Sequence, residues 1–305
     1  MDAYDRSDAI EHALMTRVAE VYAGALNRAL KNKAAVLRKI KAVDEGRIKP
    51  PRYYVDRDEV AKWREGFIRE LLRQNQLIDG IMEELNAAGV EAAELIRSGM
   101  REIYEVNRDE TVQQLTMRAG QAGISVSFAM HDRRQIDVLM QEEESPFSRL
   151  AYDNLGQNPV ARRRLQNELA MATILGESQQ KIIQRIRRIT GQTVAQARRV
   201  AQTERTRVQS QARWQAGEEA AAKGVRVIYR WAARMVRTRE SHEDLDGKCI
   251  LQGGVFRTIT GAVLRYPGDP SAPAAEIINC HCVLVPDVLL PGEWLDDSGV
   301  VRRAA

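Results

Sequence analysis

Apolar residues recur at three- and four-residue steps along most of the chain up to Ala222, the spacing that lines one face of an α-helix. Leu14, Val18, Tyr22, Ala25, Leu26 and Leu30 mark a first segment, which Gly46 and the Pro50-Pro51 pair bring to an end. Asp56 with Glu59 three residues later has the spacing of a helix N-cap. The stripe behind it runs through Val60, Trp63, Phe67 and Leu71 to Ile78 and Leu85. A third segment reaches from Val90 to Arg118 and closes at Gly120 and Gly123. Residues 124–130 alternate loosely and match neither period, while Arg133–Glu144 and Asn158–Leu175 are further helical stretches.

Two helices are then expected in succession. Ser178–Ile189 ends at Gly191, a residue suited to a helix C-terminus. Thr193 caps a second helix that runs to Ala222 along Val194, Ala197, Ala201, Val208, Ala212 and Gln215. Glu204 falls on this apolar stripe. Buried there, it needs a basic partner, for which Arg207 one turn on or a side chain from another element would serve; at the edge of the stripe it reaches water.

After Gly224 the pattern changes. Residues 225–231 alternate and are rich in β-branched and aromatic side chains, so they read as a strand, as does the short run Val283-Leu284-Val285. Five of the nine prolines lie in this part, along with Gly253-Gly254, Gly261 and the loop 267–273. These features predict a mainly α protein: an elongated helical N-terminal region over 1–175 for partner binding or assembly, a small α+β module over 176–290, and a tail over 291–305. A length of 305 residues agrees with two domains. The module is thin on core for its size, and modules of that kind commonly depend on a metal or a partner.

Composition narrows the function classes. No apolar stretch is long enough to span a bilayer, so no membrane partner is expected. The N-terminus is acidic with no apolar run behind it, unlike a secretory signal. Three cysteines without such a signal point to a reducing compartment. The net charge of +4 is mild, but its distribution is not. Between Lys181 and Arg213 there are nine Lys/Arg residues against the single acid Glu204, with Arg162-Arg163-Arg164 just upstream and Arg226, Arg230, Arg234, Arg237 and Arg239 downstream. Arg185, Arg187, Arg188, Arg198, Arg199 and Arg205 are therefore candidate contacts to double-stranded DNA phosphates, without base specificity, or to an acidic partner surface. The alternative is a solvated charged face.

All three cysteines lie beyond Gly224. Cys280 and Cys282 are two apart, so on extended backbone their thiols share a face. With His242 and Cys249 they form a candidate Cys₃His zinc site; His281 would point the other way. Two other readings stay open: free buried cysteines with His242 bonded to backbone, and catalysis by His242, Asp244, Asp246 and a cysteine. A metal-dependent nuclease would also draw on Asp244 and Asp246.

Three blocks, in this order, resemble the phage Mu F-like minor head protein family of tailed bacteriophages. The first is Ala201-Gln202-Thr203-Glu204-Arg205-Thr206; the second runs from Arg237 to Lys248 and contains His242 and Leu245-Asp246-Gly247. The third joins Pro267-Gly268-Asp269-Pro270 to Asn279-Cys280-His281-Cys282-Val283-Leu284-Val285-Pro286. The similarity runs from Gln179 to Pro286, with His281 where the family usually has Arg, and with Arg239 and His242 where some members carry a Cys-x-x-Cys pair. It implies a structural motif at Thr203, Glu204, Asp246, Gly247 and Asn279. It also implies a non-enzymatic component of the phage head, made in the host cytoplasm and carried in the virion, acting in capsid and portal assembly or in genome packaging and delivery. The implied partners are the portal protein and the major capsid or scaffolding protein, with self-association also open. Some members of the family continue into a C-terminal toxin domain, for which residues 287–305 predict no room.

Overall fold

A computed structural model describes the chain except Met1, Asn75, Glu143, Ser145, Gly176, residues 235–237 and residues 304–305, and the side chains of Gln74, Pro146 and Phe147. Among the described residues eight helices come first: α1 (Ala3–Asn32), α2 (Ala34–Asp44), α3 (Arg57–Gln74), α4 (Leu77–Gln121), α5 (Arg133–Glu142), α6 (Pro146–Gly156), α7 (Pro159–Ile174) and α8 (Gln179–Ala221). Then follow β1 (Val227–Ala232), α9 (Glu240–Glu243), β2 (Cys249–Leu251), β3 (Phe256–Arg257), β4 (Val263–Leu264), α10 (Ala274–Ile277), β5 (Val283–Val288), β6 (Glu293–Leu295) and β7 (Val301–Arg303). The expected class, mainly α with a small α+β part at the C-terminal end, is the one observed.

Helix boundaries differ from the expected ones in two instructive places. The stripe from Val60 to Leu85 is interrupted, because Gln76 adopts a left-handed backbone with φ of 47° and α4 restarts at Leu77. Conversely, Gly191 and Thr193 do not separate two helices. α8 is a single helix of 43 residues, and Thr193 donates its hydroxyl hydrogen to the Ile189 carbonyl, one turn back, instead of capping an N-terminus. Nothing lies within 4 Å of the position a Gly191 Cβ would take, so the glycine is tolerated in the helix without being required there.

The chain forms two compact units, one of residues 16–95 and 151–197, the other of 1–15, 96–150 and 198–305. These units are each assembled from separated segments, in place of the sequential regions 1–175, 176–290 and 291–305. Within the first unit, Asp44 at the end of α2 accepts from Gln179 N at 2.8 Å and from Arg64 Nη2 at 2.5 Å, so a carboxylate caps the start of α8. Gly89 of α4 faces the Leu155 carbonyl at the end of α6 so closely that any Cβ would overlap it.

The second unit holds the sheet. Its antiparallel order is β2-β1-β5, with Arg230 opposite both Cys249 and Val285. One face of β1 places Val227, Tyr229 and Trp231 in a core with Phe256, Leu264, Tyr266, Leu284 and both Cys280 and Cys282. Ile124, Val126 and Phe128 pack against this core from an irregular segment, which explains their loose alternation without a strand. The other face holds Ile228, Cys249 and Leu289, covered by Leu295 and Val301. The described part of the expected tail 291–305 is structured: β6 and β7 pair as a hairpin, and Cys249 N donates to Gly299 O at 2.9 Å.

The two mid-helix glycines should respond oppositely to alanine. Gly89→Ala is expected to destabilise by about 1–3 kcal/mol, since the atom it meets is backbone. Gly191→Ala is expected to stabilise by about 0.5–1 kcal/mol through restricted unfolded chain and better helix propensity. Urea unfolding of the two variants beside the wild type checks both signs.

Candidate functional site

The middle of α8 is unusual in composition and surroundings together. From Val200 to Ala212 every residue is buried, although the run includes Gln202, Thr203, Glu204, Arg205, Thr206, Arg207, Gln209, Ser210 and Gln211. A polar helix buried all round must have its polar atoms matched by neighbours. Toward α5 and α6, Glu204 pairs with Arg207 (Nη2 to Oε2, 2.8 Å) and accepts from Ser148 Oγ at 2.5 Å. Arg207 also donates to the Met140 carbonyl at 3.2 Å and to Gln211 Oε1 at 3.1 Å, and Gln211 donates to Leu139 O at 2.8 Å. Toward α1, Arg205 Nη1 lies 2.8 Å from Asp8 Oδ1 and 3.0 Å from Glu11 Oε2. Of the two environments open to Glu204, the buried ion pair with Arg207 is the one found.

The third side of α8 carries the loop that bears the cysteines. Gln202 Nε2 donates to the Cys280 carbonyl at 3.2 Å, and Thr206 Oγ1 donates to the same oxygen. Thr203 Oγ1 accepts from Asn279 N at 3.2 Å, and Asn279 holds a left-handed φ of 54°. Gly268, with φ of 79°, packs so tightly that a Cβ would come within 2.9 Å of Arg207 N. Asp269 beside it is fully buried. Burial opposes its ionisation, but Arg265, the Ser271 hydroxyl and the backbone N–H groups of Arg265 and Ser271 outweigh this and lower its pKa. The first and third sequence blocks thus meet as one joint.

The second block supplies the histidine. Gly247 (φ 77°) donates its N–H to the Trp231 carbonyl at 2.9 Å, and Asp246 Oδ1 accepts from Ala233 N at 2.8 Å, which fastens the turn to the end of β1. His242 stands on α9 against the edge of the Trp231 ring, with centroids 5.0 Å apart. Its Nδ1 is 3.5 Å from Cys280 Sγ and 3.6 Å from Cys282 Sγ. Its Nε2 is 3.0 Å from Glu276 Oε2, although the N–H does not point squarely at that oxygen. Glu276 also accepts from Ser241 Oγ at 2.9 Å and Thr260 Oγ1 at 2.7 Å. Burial works against its ionisation, yet these hydroxyls with His242 and Arg239 hold its pKa down. The two thiols are driven apart. The Cys280 thiol donates to Cys282, and with help from His242 and Trp231 this favours Cys282 as the thiolate, while Cys280 is pushed up.

His242, Cys280 and Cys282 form the one grouping among the described residues in which His, Cys and carboxylate ligand atoms lie mutually close enough for a metal ion. The donor set fits zinc. Tetrahedral bonds of about 2.3 Å to sulfur and about 2.0 Å to nitrogen would separate N from S by roughly 3.5 Å, which matches the observed pair of distances. With His242, Cys280 and Cys282 each at most 2% exposed, the group cannot reach a substrate as a nucleophile and base.

Other candidate residues lie elsewhere. Cys249 sits opposite Arg230 on the face of the sheet away from Trp231, so the strand alternation that buries it removes it from the cluster. Burial raises its pKa, as for an inert core thiol. His281 is half-buried outside the grouping. Asp244 pairs with Lys248 at 2.8 Å and Asp246 is committed to backbone, so they make no carboxylate pair for a magnesium ion among the described residues. The basic stripe also divides. Arg205 is a core residue and not a surface contact; Arg185 is held by Glu177 and Glu168, and Arg188 by Glu168. Arg187, Arg198 and Arg199 are exposed, while Arg237 lies outside the described residues. The sequence reading missed Glu276. Its signal was a lone acid among Ala274, Ala275, Ile277 and Ile278.

A family model described as Phage Mu protein F like protein matches residues 163–285. Minor head protein GP7 of Bacillus phage SPP1 is 33% identical over 156 residues, which cover 49% of this chain and 49% of that protein. The chain therefore spans about half the length of the curated relative it matches. No solved structure matches. The resemblance seen in the three blocks is borne out, and the matched span contains α8, the sheet strands β1 and β2, the start of β5, and the His/Cys cluster.

Removing one member of the buried pair should be far worse than removing both. Glu204→Ala leaves the buried Arg207 charge without its paired carboxylate and is expected to cost about 3–5 kcal/mol. Glu204→Leu combined with Arg207→Met should recover most of that loss, as read by chemical denaturation.

Proposed function

With residues 163–285 phage Mu F-like, we propose that this chain is a non-enzymatic minor structural protein of a tailed-phage head, acting in capsid and portal assembly or in genome packaging and delivery. What supports the reading is that the three family-like blocks converge on one joint, with α8 bonded to Asn279 and Cys280 and the Arg239–Lys248 turn delivering His242 to the same place. Most of the strongly polar groups there are bonded within the fold, as expected of a scaffold and not of a site that turns over substrate. The partners proposed are the portal protein and the capsid or scaffolding protein, with the chain residing in the virion after assembly in the host cytoplasm. We assign the His242, Cys280 and Cys282 cluster to a structural zinc ion, which when bound would cross-link α9 to the segment before β5 and stabilise a module short of core.

A role in the head predicts that this chain co-sediments with heads formed alongside the portal and capsid proteins of the same phage. Gly268→Ala, which forces a Cβ against the α8 backbone, should reduce that incorporation sharply. Heads that carry no copy of the wild-type chain would overturn the proposal.

DNA contact is assigned to the exposed Arg187, Arg198 and Arg199. Replacing all three with alanine should reduce the slope of log affinity for duplex DNA against log salt by roughly 3, about 0.9 for each phosphate no longer neutralised. Arg185→Ala should leave the slope unchanged, because its guanidinium is already committed to Glu168 and Glu177. Fluorescence anisotropy across a salt series measures both.

A further inference from the structure

Resting on the zinc assignment above, we propose that Glu276 is the positioning carboxylate of the centre: it fixes the ring and tautomer of His242 and thereby sets how tightly the metal is held. Two nitrogens of one ring are used in opposite directions. Nδ1 faces Cys280 Sγ and Cys282 Sγ, while Nε2 faces Glu276 Oε2 across 3.0 Å, so Glu276 sits on the far side of the ring and is not itself a ligand. A carboxylate beside Nε2 keeps the ring proton on that nitrogen and leaves the Nδ1 lone pair free for the metal.

The carboxylate is itself immobilised from two separate pieces of chain. Ser241 Oγ, the residue before the histidine, donates to Oε2 at 2.9 Å, and Thr260 Oγ1, from the loop joining β3 to β4, donates to Oε1 at 2.7 Å. Thr260 is in turn 2.7 Å from the Thr258 hydroxyl. Glu276 is 5% exposed, and a buried carboxylate that served no purpose would be costly to keep.

Charge gives an independent argument. Two thiolates balance a divalent zinc ion, and a neutral imidazole adds nothing. The remaining negative charge of Glu276 is met by Arg239, whose Nη1 is 3.9 Å from Oε2 and whose Nη2 donates to the Ile278 carbonyl at 2.6 Å. The loaded centre with its surround is therefore neutral, the condition under which buried ionised groups persist.

The test uses the full chain, with zinc affinity measured by competition with a chromophoric chelator and ligand identity by the thiolate-to-metal absorption of the cobalt(II) form. The wild type is expected to bind one ion and show the thiolate band. Glu276→Gln should keep the band and the single-ion stoichiometry but lose affinity by about 10- to 100-fold. Ser241→Ala, which leaves the charge and all three ligands in place and frees only one carboxylate oxygen, should show a smaller loss in the same direction. A purely structural role would lower the melting temperature of metal-free and loaded protein equally and leave affinity unchanged; affinity equal to wild type in Glu276→Gln, or in Ser241→Ala should the first variant fail to fold, overturns the proposal. A wild type that binds no ion and shows no band overturns the zinc assignment itself, a result distinct from both.

Discussion

The second unit of this protein depends on satisfying a polar helix from every side. Between Val200 and Ala212, α8 carries one acid, two arginines and a run of amides and hydroxyls into a fully buried position. The backbone bonds of a helix are internal, so the cost lies in the side chains. Most of them find a partner, whose position is then fixed with little freedom. Glu204 and Arg207 engage Ser148 and the carbonyl of Met140; Arg205 engages Asp8 and Glu11; Gln202, Thr203 and Thr206 engage Asn279 and Cys280. An apolar helix could slide or rotate against such neighbours at modest cost. This one has a single register.

That fixed register is what places the His/Cys cluster. The Cys280 carbonyl is held by two donors from α8, so the cysteine pair is presented from an anchored segment and not from a free loop. The histidine arrives separately, on a turn fastened to β1 through Asp246 and Gly247. Two rigid attachments bring His242 Nδ1 to 3.5–3.6 Å from the two thiols, a preorganised arrangement of three soft side chains. The same attachments account for the left-handed Asn279 and for Gly268, where a side chain would collide with α8.

Much of this was legible in advance. The helical spacing, the change of pattern after Gly224 and the strands at 225–231 and 283–285 follow from local periodicity, which a segment expresses whatever surrounds it. His242, Cys280 and Cys282 could be named because their residue types are rare here and two of them share an extended face. Cys249 could not be judged the same way. Whether it joins them depends on which side of β1 its strand presents, and that is set by the register opposite Arg230. The arginines show the same limit. Nine basic residues on one stretch look like a surface, but the carboxylates that bury or bind several of them come from distant positions such as Asp8, Glu11 and Glu168.

The sequence by itself therefore determined the kinds of element, their approximate extents, and the three blocks that resemble a phage head protein family, because each of these is written in neighbouring residues. The tertiary structure decided which polar groups are spent on the fold and which remain on the surface. It also decided that Gly191 and Thr193 lie inside one helix and that Glu276 stands behind His242. These outcomes turn on pairings across long sequence separations, where the energy of burying a charge is settled by a partner that no local pattern reveals.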